Sequence, residues 1–225
     1  MKTLILNRYK ELSILLILSF TSIMLLAVRM KITHDFYMLF LVWNLFLALL
    51  PYGISLWFET SIASACSTVS IRWFTVPVFI IWLLVLPNAP YIITDLIHIR
   101  NASGAFLIYD SILIASFAIT GCWAGFKSIY QMIKSLSSIY RFKKNLFKII
   151  IEYMILILCA VGIYLGRDLR WNSWDIIQHP DQLFIDTLSI FIYPLSHQTA
   201  WLQIMPMSIF LIVLYKLFLQ YETKV

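Results

Sequence analysis

Six apolar runs, each near the roughly 20 residues that a helix needs to cross the hydrocarbon core of a bilayer, constrain this chain more than any other feature. They lie at about 12–28, 36–58, 74–93, 105–126, 146–165 and 200–219. Backbone in lipid must satisfy its own hydrogen bonds, and single apolar runs of that length do so as helices. The expected fold is therefore all-α: a polytopic transmembrane helix bundle of about six spans. Little chain separates the runs, so residues 1–225 are expected to form a single integral membrane domain. Composition excludes the alternatives. With 61% hydrophobic and 12% charged residues and a mean hydropathy of +0.86, too little polar surface exists to coat a soluble domain.

Two further stretches are expected to lie on the membrane rather than cross it. Residues 127–145 set Ile129, Met132, Ile133, Leu136 and Ile139 against Lys134, Arg141, Lys143 and Lys144, the pattern of an amphipathic helix on an anionic leaflet. The same interleaving turns the net charge of +6 towards lipid headgroups and away from nucleic acid. Residues 181–193 are apolar but too short to cross, and they end at Pro194, so an interfacial or re-entrant helix is expected.

The positive-inside rule sets an orientation. With the N-terminus in the cytoplasm, twelve of the 17 Lys and Arg residues fall inside and five outside, so both termini are expected to be cytoplasmic. The first run has a basic flank like that of a signal peptide but no small-residue cleavage site, and it is expected to be retained. In this orientation every Asp and His falls on the outer side, and the four Glu fall on or near the inner side. Turns and caps alone favour Asp in outer loops; individual positions carry more.

The third run closes with Leu86-Pro87-Asn88-Ala89-Pro90-Tyr91 and then Thr94, Asp95 and His98. On a continuous helix Asn88, Tyr91, Thr94, Asp95 and His98 share one polar face. Pro87 and Pro90 remove two amide donors and press Leu86 and Ala89 towards extended geometry. Irregular backbone at that depth survives only against protein or a wet cavity. A short turn then brings Tyr109 and Asp110, at the start of the fourth run, near Asp95 and His98. Asn44 lies about 12 Å below Phe36, at a depth like that of Asn88, where an amide commonly joins two helices.

After the fifth run, Gly166-Arg167-Asp168-Leu169-Arg170-Trp171-Asn172-Ser173-Trp174-Asp175 gathers charge and tryptophan at the outer boundary. Arg167 and Arg170 would neutralise Asp95 and Asp110 or hold an anionic headgroup. The three cysteines, Cys66, Cys122 and Cys159, have no metal spacing and read as small core hydrophobes rather than disulfides.

Trp43-Asn44 with Leu50-Pro51, the Pro-Asn-Ala-Pro-Tyr run with Thr94-Asp95 and His98, Tyr109-Asp110, and the Arg-Trp-Asn-Ser-Trp-Asp piece carry a resemblance. Over nearly the whole chain the sequence resembles a family of small bacterial integral membrane proteins catalogued as domain of unknown function 1361. The resemblance implies a multi-pass protein of a bacterial plasma membrane and brings no activity with it.

Three functional classes follow. The first is a binding or transport protein for a small polar, anionic or lipid-headgroup ligand. Its outward-facing pocket would be lined by Asn44, Asn88, Tyr91, Asp95, His98, Asp110, Arg167, Arg170, Asn172 and Asp175, because ionisable groups at membrane depth are costly unless paired or functional. The second is an extracytoplasmic enzyme acting on a lipid-linked or envelope substrate. Asp95, His98 and Asp110 would be its catalytic residues or the ligands of a divalent metal, with Asp175 or His179 as a further ligand. The third is an accessory protein whose outer loops dock a partner.

Overall fold

The computed structural model describes residues 8–64, 68–101, 104, 106–141, 145–171 and 175–222. Regular structure there is entirely helical. Helix α1 is Tyr9–Thr33, α2 Phe40–Ser64, α3 Thr68–Val85, α4 the single turn Asn88–Tyr91, α5 Leu107–Tyr140, α6 Asn145–Arg167, α7 Asp175–Gln178, α8 Pro180–Ile192 and α9 Gln198–Glu222. Two 3₁₀ segments, Tyr37–Leu39 and Ile92–Asn101, complete them. Among the described residues six segments are long and apolar enough to cross a membrane: Tyr9–Thr33, Tyr37–Ala63, Trp73–Ile99, Leu107–Tyr140, Leu146–Arg167 and Gln198–Glu222. They correspond one to one with the six expected runs, and the protein is a multi-pass helical membrane protein.

The chain divides into two compact units, one of Met1–Trp82 with Asn88–Arg141 and one of Leu83–Pro87 with Phe142–Val225. In the first, α5 is the central rod, packed against α1, α2, α4 and the second 3₁₀ segment. Its core joins Leu26 of α1 and Leu41, Leu45 and Ala48 of α2 to Ala89, Ile92, Leu113, Ile114 and Phe117. A buried relay ties three helices together. Trp82 Nε1 donates to Ser128 Oγ at 2.7 Å, and that hydroxyl donates to the Pro51 carbonyl at 2.7 Å. In the second unit α6 packs on α9, burying Leu156, Cys159, Ala160, Leu211 and Tyr215. Cys122 and Cys159 are buried free thiols, and Cys66 lies outside the described residues.

The expected boundary at Lys127 is absent. Helix α5 runs without interruption for 34 residues to Tyr140, and Lys127, Ser128, Gln131 and Ser135 are buried along it. No separate interfacial helix begins there, because the apolar stripe of 129–139 faces protein and continues the core face of the span. Lys143 and Lys144 lie outside the described residues. The short helix expected over 181–193 does form, as α8.

The third run breaks at its two prolines, where irregular backbone was expected. Leu86 and Pro87 form a turn, α4 makes a single turn, and ten residues of 3₁₀ helix follow. Pro90 is tolerated because it sits in the first turn of α4, where its missing N–H would have no helical partner. The break is sealed by protein: Leu86 and Ala89 are fully buried. A side chain at Gly121 of α5 would collide with the Ala89 carbonyl oxygen, and one at Gly125 would come within 2.8 Å of the Ala89 Cβ. Two glycines on α5 thus let irregular backbone lie directly on the rod.

A 3₁₀ helix has three residues per turn, and runs beyond three or four residues are uncommon. Here that spacing lines up Ile92, Asp95 and His98. Ile92 and Asp95 are buried and His98 is half-buried, whereas Leu96 and Ile97 are exposed. The polar face expected on an α-helix is therefore redrawn: Tyr91 and Thr94 fall on a neighbouring row, joined by the Thr94 hydroxyl donating to the Tyr91 carbonyl at 2.7 Å.

Candidate functional site

Asp110 stands in the first turn of α5, where the helix N-terminus favours a carboxylate. It is fully buried, and both its oxygens meet Arg29 of α1. Nε donates to Oδ1 at 2.6 Å and Nη2 to Oδ2 at 3.1 Å, the arginine side chain being 12% exposed. A planar guanidinium matches a carboxylate in just this two-bond way. Arg29 also lies over the Phe106 ring, 4.4 Å from its centre. Next to the pair, the Tyr109 hydroxyl donates to the Leu25 carbonyl at 2.7 Å, fixing α5 to α1 a second time.

The chain between α1 and α2 folds back over this end. Helix α1 stops at His34, whose φ of 54° is left-handed, and the Asp35 side chain accepts from the Tyr37 amide at 2.9 Å. That Asx turn aims Tyr37 at the 3₁₀ segment. Its hydroxyl lies 3.0 Å from His98 Nδ1, and Tyr37 and Phe40 both meet the imidazole edge-on. Three residues earlier, Asn44 Nδ2 of α2 donates to Asp95 Oδ2 at 2.8 Å.

Leu26, Arg29, Met30, Asp35, Tyr37, Met38, His98 and Asp110 enclose a cavity of about 50 Å³. A water needs on the order of 10–15 Å³ by this measure, so the cavity takes a few waters or one small polar group. Sites for whole metabolites are several times larger.

Of the residues expected to line one pocket, Asp110 and His98 do so, and Asn44 of α2 pairs with Asp95, which is on the same 3₁₀ segment as His98. Asn88 and Tyr91, the two ends of α4, are half-buried. Arg167, the last residue of α6, Arg170, exposed with a φ of 58°, and Asp175, in the first turn of α7, belong to the second unit. Asn172, with Ser173 and Trp174, lies outside the described residues. Among the described residues no three His, Cys, Asp or Glu side chains stand close enough to hold a metal ion. Both oxygens of Asp110 face a cation and one of Asp95 faces an amide, so Asp95, His98 and Asp110 do not form a ligand set.

Arg167 and Arg170 were expected either to neutralise Asp95 and Asp110 or to hold an anionic headgroup; for Asp110 the structure supplies Arg29. Arg29 and Tyr37 were missed as site residues, Arg29 because it follows its apolar run and read as loop charge. One signal was available: Arg29 and Asp110 flank neighbouring spans at the same boundary, where two opposite charges at helix ends tend to pair.

A second charged cluster occupies the other end of the same unit. Glu11 of α1 meets Lys127 Nζ through Oε1 at 2.9 Å and Arg8 Nη1 through Oε2 at 3.0 Å. Gln131 and the Tyr52 hydroxyl also donate to Oε2, at 3.3 and 3.4 Å. Arg8 pairs further with Glu59, and Ser55 donates to Gln131 at 2.9 Å. Burial works against the Arg8 charge, but Glu11 and Glu59 outweigh it and hold the guanidinium above its ordinary value. The two glutamates here are thus partners of a buried lysine and a half-buried arginine.

Neither the curated proteins nor the solved structures include a match to this chain. One family does match, over residues 43–214, a stretch that holds Asn44, Asn88, Tyr91, Asp95, His98 and Asp110 and begins after Arg29 and Tyr37. The chain, whose described residues hold six segments long and apolar enough to cross a membrane, belongs to the family described as "Protein of unknown function (DUF1361)".

Proposed function

We propose that this membrane protein binds a small anionic or polar group, the phosphate of a lipid headgroup or of a small solute, at the cavity beside Arg29 and His98. One observation carries the reading: a buried charge pair within membrane spans opens onto a polar cavity. Ionisable groups at such depth are costly unless functional or paired. Arg29 has five N–H donors and gives two to Asp110, which leaves donors for a further oxygen. The cavity volume of about 50 Å³ limits the bound part to the size of one phosphate or carboxylate. Binding is favoured over catalysis because the carboxylates that would act as acid, base or metal ligand face Arg29 and Asn44.

In this reading the cavity opens on the outer side of a bacterial plasma membrane, as the excess of Lys and Arg at the other helix ends supports. Exposed Lys134 and Arg141, at the far end of α5, would meet an anionic inner leaflet. Thermal unfolding in detergent tests the binding. Inorganic phosphate, glycerol phosphate and a short-chain phosphatidylglycerol should each raise the melting temperature of the wild type, and less that of His98→Ala. Equal melting with phosphate, with phosphatidylcholine and without additive would remove the reading. Labelling of a cysteine at His34 by an impermeant maleimide from outside intact cells tests the orientation; labelling only after lysis would reverse it.

A further inference from the structure

Helix α8 is amphipathic in the opposite sense to a helix in water. At 100° per residue, Phe184, Ile185, Leu188, Phe191 and Ile192 fall within one arc and are 39–63% exposed; the one charge in that arc, Asp181, stands in the first turn, at the end of the helix. The face turned to the protein carries Asp186 and Thr187 beside Leu183 and the buried Ile190. Its polar groups are bonded within the unit: Trp171 Nε1 donates to Asp186 Oδ2 at 3.0 Å, and Trp201 Nε1 donates to the Ile190 carbonyl at 3.2 Å. Gln182 and Ser189, seven residues apart, lie on the flank between these two faces.

Length and depth decide what covers the apolar arc. Thirteen residues reach about 20 Å, short of the roughly 30 Å hydrocarbon core, so α8 does not cross it. Trp201 stands in the first turn of α9, a membrane span, and its ring meets Phe191 edge-on, 5.6 Å between centres. The C-terminal turn of α8 is therefore level with the mouth of a span whose own exposed residues, Leu202 and Met205, face lipid. The apolar arc of α8 continues that surface.

We infer that α8 lies along the bilayer interface, with Phe184, Ile185, Leu188, Phe191 and Ile192 in the acyl chains of one leaflet, Gln182 and Ser189 towards water, and Trp171 and Trp201 holding it to its unit. The occupant of this face is lipid and not a second protein. Nitroxide labels at Leu188→Cys and Gln182→Cys test this, in the full chain reconstituted in phosphatidylcholine vesicles with Cys66, Cys122 and Cys159 replaced by alanine. Both positions are exposed, so the labels should be tolerated. Dissolved oxygen should relax the label at 188 more than a water-soluble nickel chelate does, and the order should reverse at 182. Dominant relaxation by nickel at 188 would overturn the inference. So would spin–spin broadening at 188 that disappears on dilution with unlabelled chain, because a second copy would then cover the face.

Discussion

The two ends of the first unit handle charge on different plans. At one end Arg29 gives both its bonds to a single carboxylate that is 0% exposed, beside a cavity. At the other, one carboxylate 26% exposed is shared by Arg8, Lys127, Gln131 and Tyr52. The clusters are 18 residues apart on α1, about 27 Å. Unpairing a buried charge is costly while well-made pairs add little net stability, so the first arrangement should fail all at once and the second by degrees. A site that keeps spare donors beside a cavity suits the first plan. A helix junction that must hold suits the second.

The largest effect should come from Arg29→Ala. It strands the Asp110 carboxylate and should cost about 3–5 kcal/mol in detergent melts, whereas Arg29→Met with Asp110→Leu should recover much of that loss. A single variant as stable as wild type would break the contrast at its stronger end. Next comes Lys127→Met. Glu11 keeps three other donors, so the loss should be the value of one charged hydrogen bond, about 1.5–3 kcal/mol. A loss larger than that of Arg29→Ala would invert the comparison.

Both clusters depend on α5 lying flat on its neighbours. Gly121→Ala, which meets the Ala89 carbonyl and brings Cβ to 3.1 Å from Ile92 Cδ1, should cost about 1–3 kcal/mol through overpacking. At Gly53, where an added Cβ meets nothing within 4 Å, the same change should stabilise by about 0.5–1 kcal/mol. Equal melting shifts for the two variants would count against the sealed break. The smallest effect is a deviation from additivity. Over this separation Arg29→Ala combined with Lys127→Met should sum to within about 0.5 kcal/mol, and a larger coupling would show that the ends communicate.

Much of the fold was legible because lipid imposes a simple requirement. Apolar runs of span length have one way to satisfy their backbone, and all six appear. The break at Pro87 and Pro90 was legible for the same kind of reason, since two missing N–H groups cannot be hidden. Its consequence was not. Whether the chain resumes as α or 3₁₀ helix depends on what it packs against, and the 3₁₀ spacing moved Asp95 and His98 onto the row of Ile92 and away from Tyr91. The stripe of 129–139 misled because an apolar face is the same whether it meets lipid or protein; Lys127, 3% exposed beside Glu11, shows which it meets.

By itself the sequence determined that this is a multi-pass helical membrane protein, where its third span breaks, and that Asp95, His98 and Asp110 gather near one boundary. These follow from hydrophobicity, backbone donors and loop length, which are local quantities. Only the tertiary structure decided that Asp110 takes Arg29 as its partner, that Glu11 binds a buried lysine and that Gly121 admits the carbonyl of Ala89. Those pairings join positions 32 to 116 residues apart in the chain, and only the packing of one helix on another sets which charge lies within reach of which.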